Sequence, residues 1–185
     1  MTERRSSRLT SFLCLSLATL CTSGPLAAPA QVFGHSYPLW GSLLGAHVSA
    51  AGLVDDRGLA QDDRLGRFLL AVAEAEPGDV DRWSVDERKA FYINAYNALT
   101  LQAVLEFFPL ASIRERDRDD FKIWDDYPLG KTGLSLNAIE HQRLRPLGDP
   151  LIHAAIVCAS NGCPILLAEA FRPERLEAQL EDTVR

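Results

Sequence analysis

Ser84-Val85-Asp86-Glu87, continuing into Phe91-Tyr92-Ile93-Asn94-Ala95-Tyr96-Asn97-Ala98-Leu99, decides how this chain is read. The serine and the glutamate three positions on form a capping box, in which the hydroxyl takes an orphan amide of the first turn and the carboxylate reaches back. A long helix is therefore predicted from here to about Phe108, stopped by Pro109. Asn94 and Asn97 lie three apart and share a face, so two amides must find partners if that face is buried. They can tie the helix to a neighbouring loop, orient a histidine or bind a substrate backbone.

Upstream of this helix the pattern is also helical. Tyr37 to Leu53 carries Leu39, Trp40, Leu43, Leu44, His47 and Val48 at helical spacing and meets Gly52. Asp62 to Ala75 repeats the spacing with Leu65, Phe68, Leu69 and Val72, and Glu76-Pro77-Gly78 closes it. Downstream the elements shorten. Phe121 to Trp124 and Tyr127 to Leu136 read as strands, the latter around a Gly130-Lys131-Thr132-Gly133 turn. Ser135 can cap a helix through Ile139, Leu144 and Arg145. Leu151 to Cys158 is a nearly continuous apolar run and reads as a buried strand near the centre of a small sheet. Pro173 can open a last helix carrying Leu176 and Leu180. The fold class expected is α+β, a helical N-terminal half packed on a small sheet.

The first 30 residues stand apart. Arg4, Arg5 and Arg8 precede an apolar run from Leu9 to Leu20, and Ala28-Pro29-Ala30 places small residues where a signal peptidase needs them. The run is too short and too diluted by Thr10, Ser11, Ser16 and Thr19 for the roughly 20 apolar residues a membrane span requires. Residues 1–30 are thus expected to be a signal peptide, residues 31–185 a single globular domain, and the destination periplasmic or secreted. Without the leader, 16 basic and 24 acidic residues leave a formal charge of −8. No excess of basic side chains is available to neutralise a phosphate backbone, which excludes nucleic acid as a partner. After leader removal no membrane association is expected either.

Four clusters could carry chemistry. Of four cysteines, Cys14 and Cys21 lie in the leader, leaving Cys158-Ala159-Ser160-Asn161-Gly162-Cys163. An even pair in an oxidising compartment can close a disulfide, or one thiolate can sit against loop amides as a nucleophile. No CxxC pair accompanies it, so neither a metal nor a cofactor is expected. Glu140, His141 and His153 lie within twenty-four residues of chain with Cys163, and a thiol needs an imidazole nearby to ionise at neutral pH. On a regular strand His153 and Cys158, five apart, face opposite ways, which favours His141 or His153 meeting Cys163 across a turn. The third cluster is the Asn94/Asn97 face. The fourth, Asp117, Asp119, Asp120, Asp125 and Asp126, lacks the ligand order and glycine of a calcium loop and reads as a solvated acidic segment.

Three separate motifs in order resemble the domain-of-unknown-function family 547: Phe91 to Thr100; Leu134-Ser135-Leu136-Asn137-Ala138-Ile139-Glu140-His141 with Leu144-Arg145-Pro146; and Asp149-Pro150-Leu151-Ile152-His153 through Cys158 and Cys163-Pro164. The resemblance implies a widespread domain, often exported in bacteria, with a fold distantly like papain-like cysteine hydrolases. It places recurrent polar residues at Asn94, Asn97, Glu140, His141, His153, Cys158 and Cys163. Ala159 stands where the family usually has glycine, and Leu151 where it usually has arginine. Family members usually continue further, which implies that Arg185 falls inside a longer helix.

Two functions follow as expectations. One is a thiol-dependent hydrolase or acyl transferase acting on a peptide, amide or thiol-containing small molecule. Cys163 or Cys158 would be the nucleophile, His141 or His153 the base, and Glu140 or Asn94 the orienting group, with Asn94 and Asn97 able to hold substrate. The other is a non-catalytic binding or scaffold domain with a Cys158–Cys163 disulfide.

Overall fold

A computed structural model of the chain describes residues 33–184, except 110, 111, 113, 114, 116, 118–121, 130–132 and 161. The chain divides into Met1–Val32 and Phe33–Arg185. The expected leader and the Gly130–Thr132 part of the expected turn lie outside the described residues, as do Asp119 and Asp120.

Helix α5 (Val85–Glu106) organises the second unit. Both halves of its capping box form: Ser84 Oγ accepts from Glu87 N–H at 3.2 Å, and Ser84 N–H donates to Glu87 Oε2 at 2.8 Å. Every residue from Ala90 to Leu101 is buried, so the helix is covered on all sides rather than along one stripe. α1 (Pro38–His47) packs on α3 (Arg64–Ala73), and α3 packs on α5. Trp40 stacks on Phe68 with ring centroids 5.1 Å apart, filling that layer.

Two one-turn helices, α2 (Asp56–Leu59) and α4 (Pro77–Val80), join these pieces. α1 ends six residues short of the Leu53 that spacing alone suggests. The reason is a backbone bridge between Val48 and Val54, closed by Gly52 in the left-handed region at φ 74°. Such a φ suits glycine because no Cβ meets the carbonyl.

Beyond α5 the elements are short. α6 (Ile123–Asp126) is helical, correcting the strand expected over Phe121 to Trp124; Asp126 carries the first turn by accepting from Lys122 N–H. β1 (Pro128–Leu129) and β2 (Leu134–Ser135) pair antiparallel, Pro128 opposite Ser135, and form the sheet found among the described residues. Ser135 caps α7 (Leu136–Ala138), accepting from Ala138 N–H at 3.1 Å. This helix widens into a π turn over Ile139–Leu144 and tightens to a 3-10 turn at Arg145–Leu147.

The apolar run after Pro150 is the main correction. Leu151 to Cys158 is not a central strand: Ile152–Ala155 forms α8, and only the residues after it are extended. A strand needs a neighbour for its backbone groups, and here α5 supplies one from a side chain. Asn97 Nδ2 donates to Ala155 C=O at 2.9 Å, and Asn97 Oδ1 accepts from Val157 N–H at 3.0 Å.

The same device recurs at the C-terminal end. Asn94 Nδ2 donates to Phe171 C=O at 2.8 Å, and Asn94 Oδ1 accepts from Phe171 N–H at 3.0 Å and from Trp40 Nε1–H at 3.1 Å. Gln179, on α9 (Leu176–Asp182) after a 3-10 turn at Pro173–Arg175, grips Ala170 C=O and Arg172 N–H, both at 2.9 Å. The segment 170–172 is thus held from both sides, as a central strand would be, by two amide side chains. The fold is α+β and rich in helix, with a small two-stranded antiparallel sheet among the described residues.

Candidate functional site

Cys158 and Cys163 form a disulfide, with their Cα atoms 6.0 Å apart. The turn between them is built locally. Cys163 N–H donates to Ser160 C=O at 3.0 Å, and Ala159 takes a left-handed φ of 53°. A left-handed alanine costs about 1 kcal/mol relative to glycine there. Cys158 N–H points at Cys163 Sγ at 3.3 Å, and Ser160 Oγ lies 3.7 Å from Cys158 Sγ and 3.8 Å from Cys163 Sγ.

The disulfide borders a cleft of about 490 Å³ lined by Ser112, Asp117, Lys122, Trp124, Asp125, Cys158 and Ser160. Trp124 is fixed in this lining by an Nε1–H bond to Tyr96 Oη at 3.1 Å. Burial pushes the Tyr96 phenol up to about 12, with the Trp124 bond working against it and the Glu140 charge adding to it. Tyr96 therefore stays protonated at any physiological pH. Asp117 Oδ1 accepts from Ile123 N–H at 3.1 Å, which orders α6 against the cleft.

The histidine candidates stand elsewhere. Glu140 and His141 ride on the π turn, and His141 is exposed. His153, on α8 rather than on a strand, has its Nδ1 3.7 Å from Glu140 Oε1, which also accepts from Arg145 Nη2 at 3.0 Å. The expected opposition of His153 and Cys158 on a strand falls with the strand itself. The structure thus joins Glu140 to His153 and Cys158 to Cys163. Among the described residues no hydrogen bond links either histidine to either sulfur. Asn94 and Asn97 share a buried face, as their spacing requires, and both are engaged with backbone. No three His, Cys, Asp or Glu side chains among the described residues converge as metal ligands. Nor is any described helix long and apolar enough to cross a membrane.

A further polar cluster was not singled out from the sequence. His47 Nε2 lies 2.9 Å from Asp62 Oδ2, and Arg64 binds the same carboxylate through Nε and Nη2. His47 and Asp62 are fifteen residues apart, and no spacing in the sequence links them. Hydrogen bonds from Arg64 and then His47 hold the Asp62 carboxyl well below the usual carboxylate range.

Asp149 anchors the start of the site segment. It accepts from Lys89 Nζ at 2.7 Å and from Leu151 N–H at 3.0 Å. Burial alone would raise its pKa, but the Lys89 and Leu151 hydrogen bonds and the Lys89 charge bring it below the ordinary value. Carboxyls lowered in the folded state contribute stability above the unfolded pKa and lose it as pH falls through the folded one. The part of the urea midpoint that these two carboxyls supply should therefore hold steady from pH 7 to about pH 5 and fall below about pH 4. An Asp62→Asn/Asp149→Asn double variant should start lower at pH 7 and lose less on acidification. A variant as acid-sensitive as the parent would refute the assignment.

No curated protein and no solved structure matches the chain. A family model does, over residues 80–185, a span that begins just before the α5 cap and includes the π turn, α8, the disulfide turn and the Gln179 latch. The chain belongs to the family described as proteins of unknown function, DUF547.

Proposed function

We propose that the chain is an exported binding domain, stapled by Cys158–Cys163, that holds a small molecule or a peptide segment in the cleft beside the disulfide. The observation that carries this reading is the disulfide itself. A bonded sulfur is not a nucleophile, so thiol hydrolysis would need prior reduction and an imidazole brought to the freed thiolate. The amides at Asn94 and Asn97 are committed to backbone, which suits a framework more than a substrate contact. The cleft offers what a binding site needs: an aromatic surface at Trp124, one cation at Lys122, carboxylates at Asp117 and Asp125, and a hydroxyl at Ser160. Export follows from the leader reading and agrees with an oxidising destination for the cysteine pair.

A thiol count on the mature secreted protein tests the reading. Mass spectrometry after iodoacetamide treatment is expected to find no labelled cysteine before reduction and two afterwards. Rapid labelling of one cysteine below neutral pH without any reductant, slowed by His141→Ala or His153→Ala, would overturn it in favour of the hydrolase.

A further inference from the structure

We propose that the cleft's ligand is a thiol and that the Cys158–Cys163 disulfide exchanges with it, Cys158 being the sulfur attacked and Cys163 the one released. This rests on the binding reading above and names the chemistry of its ligand.

Two independent observations converge on that polarity. Cys158, with Ser160, forms part of the cleft wall, so a thiol seated against Trp124 meets Cys158 first. A group able to hold a departing sulfur anion is aimed at the other cysteine: Cys158 N–H lies 3.3 Å from Cys163 Sγ, whereas the Ser160 hydroxyl, 3.7 Å from Cys158 Sγ and 3.8 Å from Cys163 Sγ, favours neither. A better-stabilised leaving thiolate leaves faster, and which sulfur is attacked follows from access.

The reaction balances without any other oxidant. A ligand thiolate attacks Cys158 Sγ, the Cys158–Cys163 bond breaks, and its electron pair departs on Cys163 as a thiolate. A second ligand thiolate attacks the ligand sulfur of the mixed disulfide and releases Cys158 as a thiolate. Both protein thiolates take up protons. Two ligand thiols are oxidised to one disulfide, and the protein disulfide is reduced by two electrons.

The wall also limits which thiol fits. Among the described residues the wall carries two carboxylates, Asp117 and Asp125, and one lysine, Lys122, in a chain of formal charge −6, so a thiol carrying a cationic group is favoured over an anionic one. Cysteamine and 3-mercaptopropionate make a matched pair of probes.

The protein is incubated with cysteamine at neutral pH, quenched at intervals with N-ethylmaleimide and mapped by peptide mass. The reference is a cyclic disulfide peptide of the sequence Val157 to Pro164, which has the ring without the cleft. The adduct is expected on Cys158 with maleimide on Cys163, at a rate about tenfold or more above the peptide's. The protein-to-peptide ratio should be larger for cysteamine than for mercaptopropionate, and Ser160→Ala, at an exposed position, should slow the protein severalfold. An adduct on Cys163, or a rate equal to the peptide's, would overturn the proposal. A disulfide that resists cysteamine sinks the exchange but leaves the binding reading standing; two free thiols in the freshly isolated protein would sink the binding reading itself.

Discussion

Asn94→Leu is expected to destabilise the protein more than any other single side-chain change in the site's framework. Leucine fits the volume, but Phe171 N–H, Phe171 C=O and Trp40 Nε1–H all lose their partner inside the core. At about 1–3 kcal/mol for each of the three buried groups left unmatched, the loss should reach about 3–9 kcal/mol. That is a large share of the roughly 5–15 kcal/mol that holds a domain of this kind together. Urea unfolding followed by tryptophan fluorescence measures it. A loss below about 1 kcal/mol would mean that water replaces the amide, and the latch would not be structural. Asn97→Leu orphans two groups instead of three and should cost less, with the faster amide exchange concentrated at Val157.

Gly52→Ala should have the next largest effect, about 2–4 kcal/mol, for two reasons that add. The backbone at φ 74° disfavours any Cβ, and a Cβ built there would sit 2.6 Å from Ile165 Cβ and 3.1 Å from Leu166 N. Neither is the far end of a flexible side chain, so one of the two loops must move. Because Ile165 follows Cys163-Pro164 closely, the displaced segment is the one that anchors the disulfide turn. The drop in Tm should therefore be accompanied by faster reduction of the disulfide. An unchanged Tm would show that the two loops do not bear on each other. Gly52→Asn, which tolerates the left-handed region but keeps the Cβ, should recover only part of the loss.

What could be read from residues alone divides along the range of the forces involved. The α5 cap, the Ser135 cap, the antiparallel pairing of Pro128–Leu129 with Leu134–Ser135 and the Pro173 start are local rules, satisfied within about seven residues, and the structure bears them out. Leu151 to Cys158 misleads because an apolar run does not say whether its backbone will meet a strand. Its partner is a side chain 58 residues away in sequence, and no periodicity encodes that. The left-handed backbone of Tyr37, at φ 49°, is likewise silent in a sequence that offers neither glycine nor asparagine there. In the candidate site, the cysteine pair was legible from its Gly-containing turn. Which groups face which sulfur was not, since that depends on how the turn is folded back. His153 changed face when its strand became a helix, and with it went the expectation drawn from strand geometry.

The three amides that grip backbone have a bearing on how such a domain can change over time. Asn94, Asn97 and Gln179 recognise only C=O and N–H groups, which every residue but proline carries alike. The segments they hold, 155–157 and 170–172, are therefore free to vary in side chain as far as their latches are concerned, while the amides themselves are not. Drift can repack the core side chains of these two segments without loosening the hydrogen bonds that hold their backbone in place.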